Sequence, residues 1–410
     1  MNRIDALIEE PCPNGVEFKP LGEVAPYSKE RAYVADLDAD TFVGVDNLRQ
    51  GGGKAPSTAI PNTDTCTGYR EGDVLMGNIR PYLRKSWLAD NDGGCSGDVL
   101  AFSIKNRDEM LPNFLYWLLS TTEFWEFASR NVKPGKMPRG DKAAYLRYSV
   151  PVPPMAVQRA IVEVLDKAVE LERELERELE RRKTQYAHYR DRLLAFDDSV
   201  KRQRLDELGA FTRGRRFVKS DYADEGTPCI HYGEIYTEYG VATRQVVSHL
   251  RSNLDVRLRF ALPGDVVLTD IAETVEDVGT PVAWLGATPV AIHDHCYSYS
   301  SDFNPRFLSH LMRTNWFVAE RSKHVVRTKV KTLMIRQFGS IRVPVLPMSE
   351  QVRIADILDK FDALTTSLQD GLPAEQVARR KQYEYYRDAL LTFKEKPVPA
   401  SAGSTTEEES

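Results

Sequence analysis

The chain has 410 residues, 42% hydrophobic and 28% charged, with a formal net charge of −5, ordinary values for a soluble protein of two or three domains. No apolar run approaches the roughly 18 residues of a membrane span, and Met1 to Glu10 carries acids where a signal peptide needs an apolar core. Five scattered cysteines without a CxxC pair point to reduced thiols and a cytoplasmic setting. Net charge does not exclude a nucleic-acid partner, because residues 201–340 hold 19 Lys and Arg against 16 Asp and Glu, the basic ones clustered.

In chain order, Val16-Glu-Phe-Lys-Pro-Leu-Gly-Glu-Val24 has a faint echo in residues 200–208. Strands are predicted at 41–45, 73–76 and 99–104, broken by Gly51-Gly-Gly53, Pro61-Asn62 and Asp92-Gly-Gly94. A short helix follows from Pro112 to about Ser129. The second globule repeats this grammar: Gly264-Asp-Val-Val-Leu268 answers Gly72-Asp-Val-Leu75, and Pro305 to Met312 answers Pro112 to Leu119.

A longer repeat follows each globule. Val150-Pro-Val-Pro-Pro-Met-Ala-Val-Gln158, Leu165-Asp-Lys167 and Gln185-Tyr186 to Phe196 match Val343-Pro-Val-Leu-Pro-Met-Ser-Glu-Gln351, Leu358-Asp-Lys360 and Gln382-Tyr383 to Phe393. The first copy predicts one helix over about 155–196, with Ile161, Leu165, Ala168, Leu175, Leu179, Tyr186, Tyr189 and Leu193 as an apolar stripe. Its middle is a Leu-Glu-Arg-Glu repeat, with favourable i,i+3 pairs Glu174–Arg177 and Glu178–Arg181. The second helix is interrupted at Gly371-Leu-Pro373.

The repeated lead-ins Pro151-Val-Pro-Pro…Gln158 and Pro344-Val-Leu-Pro…Gln351, the Leu-Asp-Lys segments and the Tyr-Arg-Asp-x-Leu-Leu ends resemble the specificity (S) subunit of type I restriction–modification enzymes. The resemblance spans the chain in architecture and is strong in sequence over the two helical regions. It implies an α+β fold: two mixed α/β target-recognition globules separated by two long helices packed as an antiparallel coiled coil, a pseudo-twofold internal repeat. The expected division is 1–150 for the first globule, 151–199 for the central helix, 200–342 for the second globule, 343–394 for the C-terminal helical region, and 395–410 for a disordered tail. It also implies a non-catalytic protein that reads a bipartite double-stranded DNA site and recruits two methyltransferase (M) subunits and restriction (R) subunits. S-adenosylmethionine would then sit in the methyltransferase partners, ATP and Mg in the restriction subunits, and no cofactor on this chain.

The residues agree with a non-catalytic role. Asn304-Pro-Arg-Phe307 departs from the Asp/Asn-Pro-Pro-aromatic motif of adenine methyltransferases at its third position, and is better read as a helix start. Gly51-Gly-Gly-Lys54 lacks the first glycine and the Ser/Thr of a P-loop. His293-Asp-His-Cys296 offers too few ligands for a structural zinc site.

Phosphate contact needs Lys and Arg, and base readout needs Arg, Lys, Asn or Gln at groove edges. The first globule offers Asn78, Arg80 and Arg84, and a Gly- and Pro-interrupted loop carrying Lys133, Lys136 and Arg139. The second offers Arg213, Arg215, Arg216 and Lys219, and a run from Arg321 through Arg327, Lys329 and Lys331, with Tyr232, Tyr236 and Tyr239 as cleft-lining aromatics. Competing readings are a self-contained DNA methyltransferase or nuclease, and a coiled-coil adaptor that binds proteins. The first would transfer methyl groups to DNA unaided, and the second would show no sequence-dependent DNA binding.

Overall fold

The computed structural model describes residues 10–366 and 372–397. The chain forms two compact units, Met1–Arg173 with Ala378–Ser410, and Glu174–Val377. The division falls inside the central helix rather than at its ends, so each half of that helix belongs to the globule it packs against.

In the first unit, strand Val74–Gly77 lies between Ser86–Leu88 and Val99–Phe102, antiparallel to both. It is buried along its whole length. Gly72, at φ +88°, turns the chain into it. Asp73 holds that turn by accepting from Arg70 N and Ser103 Oγ. The second unit repeats the device with Gly264 at φ +95° and Asp265 bonded to Leu262 N and Ser300 Oγ. Its strand Val266–Thr269 sits in a five-stranded sheet between Cys296–Ser301 and Pro281–Trp284.

The single helix expected after Pro112 is two, Pro112–Leu118 and Thr122–Arg130, because the Thr121 hydroxyl accepts from Phe124 N and starts a new helix. The second unit has the same pair, Pro305–Met312 and Asn315–Ser322, the latter capped by Thr314. Asn304 caps the first of them by accepting from Arg306 N and Phe307 N. That capping role accounts for the Asn-Pro-Arg-Phe tetrapeptide without any catalytic function.

The faint N-terminal echo is one element used twice. Glu17–Pro20 pairs antiparallel with Ser149–Val152, and Arg202–Arg204 with Arg342–Pro344. Each globule is thus closed by a two-stranded ribbon just before its helix begins.

The repeated glutamine fixes each helix to its globule. Gln158 is fully buried; its Oε1 accepts from Leu111 N at 2.9 Å and its Nε2 donates to Glu109 O and Pro153 O. Gln351 accepts from Asn304 N and donates to Leu346 O. The Leu-Asp-Lys carboxylates complete the joint. Asp166 accepts from Trp117 Nε1 at 3.0 Å; Asp359 accepts from Arg306 and from the fully buried His310, whose other ring nitrogen meets Tyr186 Oη.

The central helix runs unbroken over Met155–Leu193, 39 residues, or about 58 Å at 1.5 Å per residue. Ile161, Leu165, Leu179 and Tyr186 of the predicted stripe are buried, Ala168, Leu175 and Leu193 half-buried, and Tyr189 stacks on Phe361. Glu178 pairs with Arg181 as expected, and with Arg182 at 2.6 Å. The C-terminal region is two helices, Met348–Thr366 and Leu372–Leu390, the restart falling at the predicted Gly-Leu-Pro. Within the second unit, Glu176 meets Gln376 while Tyr189 meets Phe361, so the two segments run in opposite directions.

The Tyr-Arg-Asp ends cap short helices. Asp388 accepts from Thr122 N and Arg387 donates to Thr122 Oγ1 in the first unit. Asp191 accepts from Asn315 N in the second. A carboxylate there satisfies an otherwise unpaired N–H and sits favourably against the helix dipole. Residues 395 and 396, expected in the tail, are paired with the first unit. Glu395 bridges Val16, and Lys396 N donates to Val16 O at 2.8 Å; residues 398–410 lie outside the described residues.

Candidate nucleic-acid interface

In the first unit the two basic segments expected from sequence form one surface. Val74–Gly77 runs out into Asn78, whose N–H donates to Asp98 O at 2.8 Å and whose carbonyl accepts from Gly140 N at 3.1 Å. Arg80 N donates to Pro138 O, and Ile79 bridges Arg139. The hairpin Val132–Lys133 with Arg139–Gly140 is thereby laid against the loop 78–85. Lys133, Lys136, Arg139, Arg80 and Arg84 are all exposed.

Arg80 and Arg84 both have φ +51°, and among the described residues they are the only non-glycines with positive φ. They bracket a short turn, Pro81–Leu83, with Tyr82 56% exposed at its tip. Such backbone costs on the order of 1 kcal/mol per residue or more and clusters at functional sites. Arg139 grips Asp98 side-on, Nε to Oδ1 at 2.7 Å and Nη2 to Oδ2 at 3.1 Å. That hydrogen bonding holds the Asp98 carboxyl below its ordinary range.

Asn78 itself is a correction. It is only 2% exposed, because both of its main-chain groups are tied into the strand–hairpin junction. It shapes the surface from beneath.

The second unit builds the same junction from other residues. Asp270 follows Val266–Thr269 as Asn78 follows Val74–Gly77. Its N–H donates to His295 O at 3.0 Å, and its carbonyl accepts from Leu333 N at 2.7 Å. The hairpin Val325–Arg327 with Lys331–Leu333 is laid down there, with Ile271–Ala272 as a third strand. Arg327 and Lys329 are exposed and Lys331 partly so. Arg213, at the end of Gly209–Arg213, donates from Nε to Asp294 O at 2.9 Å and places Nη2 3.5 Å from Asp270 Oδ2. Arg215, Arg216 and Lys219 lie exposed on the loop that follows.

Arg321, expected in the basic run, is buried instead. Its guanidinium donates to Gly279 O and Glu276 O, and burial pulls its pKa down to about 10. It fastens a loop to the helix Asn315–Ser322. Of the three tyrosines, Tyr239 is buried with its hydroxyl on Val247 N, and the Tyr236 hydroxyl is engaged by Thr269 and Ile271 O. Tyr236 is nonetheless 37% exposed, and half-buried Tyr232 packs beside His231.

Sequence reasoning missed a histidine cluster there. His231 and His293 have ring centroids 4.6 Å apart, His293 and His295 5.6 Å, with Phe217 and Tyr232 against them. His295 Nδ1 lies 3.0 Å from Asp270 Oδ1. Burial pushes His293 down to about 4 and lowers His231. Cys296 is fully buried among apolar side chains, and among the described residues no group of His, Cys, Asp and Glu can hold a metal ion. His231 is 62 residues from His293 in the chain, so only the sheet pairing of Thr227–Ile230 with Val290–Ile292 could reveal the cluster.

Residues 198–375 match the family profile described as the type I restriction modification DNA specificity domain. The chain is 26% identical to the specificity subunit of the Escherichia coli type I restriction enzyme EcoR124I/EcoR124II, over 92% of this chain and 94% of that one. It is 28% identical to a putative type I restriction enzyme specificity subunit from Haemophilus influenzae, covering 71% of this chain and 74% of the relative. Its fold matches a chain solved for the complex assembly and conformational transition of a type I R-M system, with TM-score 0.64, 18% identity, and 93% and 98% coverage. By sequence and by duplicated architecture the chain is similar to type I restriction–modification specificity subunits. Among the described residues no helix is long and apolar enough to cross a membrane.

Proposed function

We propose that the globules 1–150 and 200–342 each read one half of a bipartite double-stranded DNA site, while the helical regions 151–199 and 343–394 set the spacer and dock the partners. Those partners are two methyltransferase subunits, with restriction subunits added for cleavage. S-adenosylmethionine then belongs to the methyltransferase subunits, and ATP and Mg to the restriction subunits. The setting is the bacterial or archaeal cytoplasm, where such DNA lies.

The observation that carries this reading is the strand-end junction built twice. In each unit a buried Asn or Asp closes a hairpin by the same two main-chain bonds, and the hairpin presents exposed Lys and Arg beside further basic residues. Lys133, Lys136, Lys329 and Lys331, with Arg80, Arg84, Arg215, Arg216, Lys219 and Arg327, supply phosphate and groove-edge contacts in this scheme.

The test is to express the chain with its methyltransferase partner and map methylated adenines genome-wide. A motif with two defined halves and an unspecified spacer is expected. A continuous palindrome would contradict two independent reading heads.

A further inference from the structure

We propose that each unit reads a guanine through one arginine whose Nε edge is already held by the protein: Arg139 on Asp98 in the first unit, and Arg213 on Asp270 and the Asp294 carbonyl in the second. This assignment rests on the DNA-recognition reading above and deepens it.

A guanidinium has five N–H groups in a rigid plane. In Arg139 the Nε–H and one Nη2–H are used by the two Asp98 oxygens. The remaining fork, the outer Nη2–H and Nη1–H, points away from the acid and is free to donate two parallel hydrogen bonds. Guanine presents O6 and N7 as paired acceptors in the major groove, and bidentate arginine is their most common reader. Arg213 is arranged alike, with Nε on Asp294 O and Nη2 towards Asp270.

Exposure agrees. The Arg139 and Arg213 side chains are 49% and 50% exposed, against 35% for Asp98 and 6% for Asp270; each anchor is less exposed than the arginine it holds. Among the described residues Arg80, Arg84, Arg215 and Arg216 have no such anchor. They keep their rotamer freedom, which suits phosphate contact better than base discrimination. Asp98 and Asp270 are positioning residues here, each lowering the ordering cost at the moment of contact.

The two anchors come from different positions of the same junction. Asp270 stands where Asn78 stands in the first unit. Asp98 stands where His295 stands in the second, each giving its carbonyl to that residue's N–H. The acid sits at a different position of the frame in each unit, and the arginine comes from the hairpin in the first and from the end of Gly209–Arg213 in the second, yet both leave the fork outward.

The experiment is selection from a DNA library randomised in both halves, using the full chain bound to its methyltransferase subunit, with salt titrations of the selected sites. Wild type should require a G·C pair in each half. Arg139→Lys keeps the charge but not the fork, so it should lose that requirement at one position of one half, by roughly 5- to 150-fold. Its salt slope should be unchanged. Asp98→Asn should weaken the same position and no other, and Arg213→Lys should act on the opposite half. A loss spread evenly over all positions, or selection by Arg139→Lys equal to wild type, would overturn the arginine assignment alone. A wild type with no sequence preference at all would overturn the DNA-recognition reading beneath it.

Discussion

The two units differ most where they are most alike. In each, a buried polar residue ends the central strand, takes a hydrogen bond from a hairpin and gives one to the turn before the next strand. Those bonds are main chain to main chain, so they place no demand on the side chains they carry. Asn78 therefore answers Asp270, and Asp98 answers His295. The first unit adds two left-handed arginines; the second adds three histidines and a third strand. A reading head built this way can change its chemistry without changing its frame. The helical joints are the opposite case. Gln158 and Gln351, or Asp166 and Asp359, work through side-chain bonds and recur as the same residue.

That contrast can be broken experimentally. The largest effect expected is from deleting Leu175 to Glu178, about one helical turn, which nearly preserves the face of the helix and removes about 6 Å. The tolerated spacer should shorten by about two base pairs, abolishing recognition of the original site while both half-sites stay the same in a selection assay. An altered half-site with the original spacer would refute the division of labour.

Next come the buried glutamines. Gln158→Ala orphans three main-chain groups and Gln351→Ala two, so losses of roughly 3 and roughly 2 kcal/mol are expected, measured by denaturant unfolding. Equal or reversed costs would mean that the joints are not built on these bonds.

Charge reversal at Lys329 and Lys331 should weaken DNA binding by about 10- to 100-fold near 0.1 M salt and flatten the salt dependence. An unchanged slope would remove that hairpin from the phosphates.

The smallest effect is one of pH. Because His293 is depressed to about 4 in the fold, against about 6.5 unfolded, the unfolded chain binds the extra proton between those values. Stability of the second unit should then fall as pH drops from about 6.5 towards 4. His293→Gln should lose less melting temperature between pH 7 and 5 than wild type does. An identical loss would show that this histidine does not carry the dependence.

Much of the frame was legible in the chain. Repeated Gln, Leu-Asp-Lys and Tyr-Arg-Asp segments marked the helices, since each such side chain meets a fixed partner twice. The Gly-Asp turns, the Pro112 and Pro305 helix starts and the Gly371-Leu-Pro373 break were legible because local backbone chemistry alone sets them. The basic loops were visible as charge, but their burial was not. Asn78 and Arg321 look like surface residues in sequence and are enclosed by segments tens of residues away.

By itself, then, the sequence determined the duplication, the helices and their joints, and which stretches carry positive charge. Only the tertiary structure decided that loop 78–85 and hairpin 132–140 share one surface, that Asp270 links Arg213 to His295, and that Arg139 is held by Asp98. These arrangements follow from main-chain pairing between distant strands, which is indifferent to side-chain identity and therefore leaves no mark in the sequence.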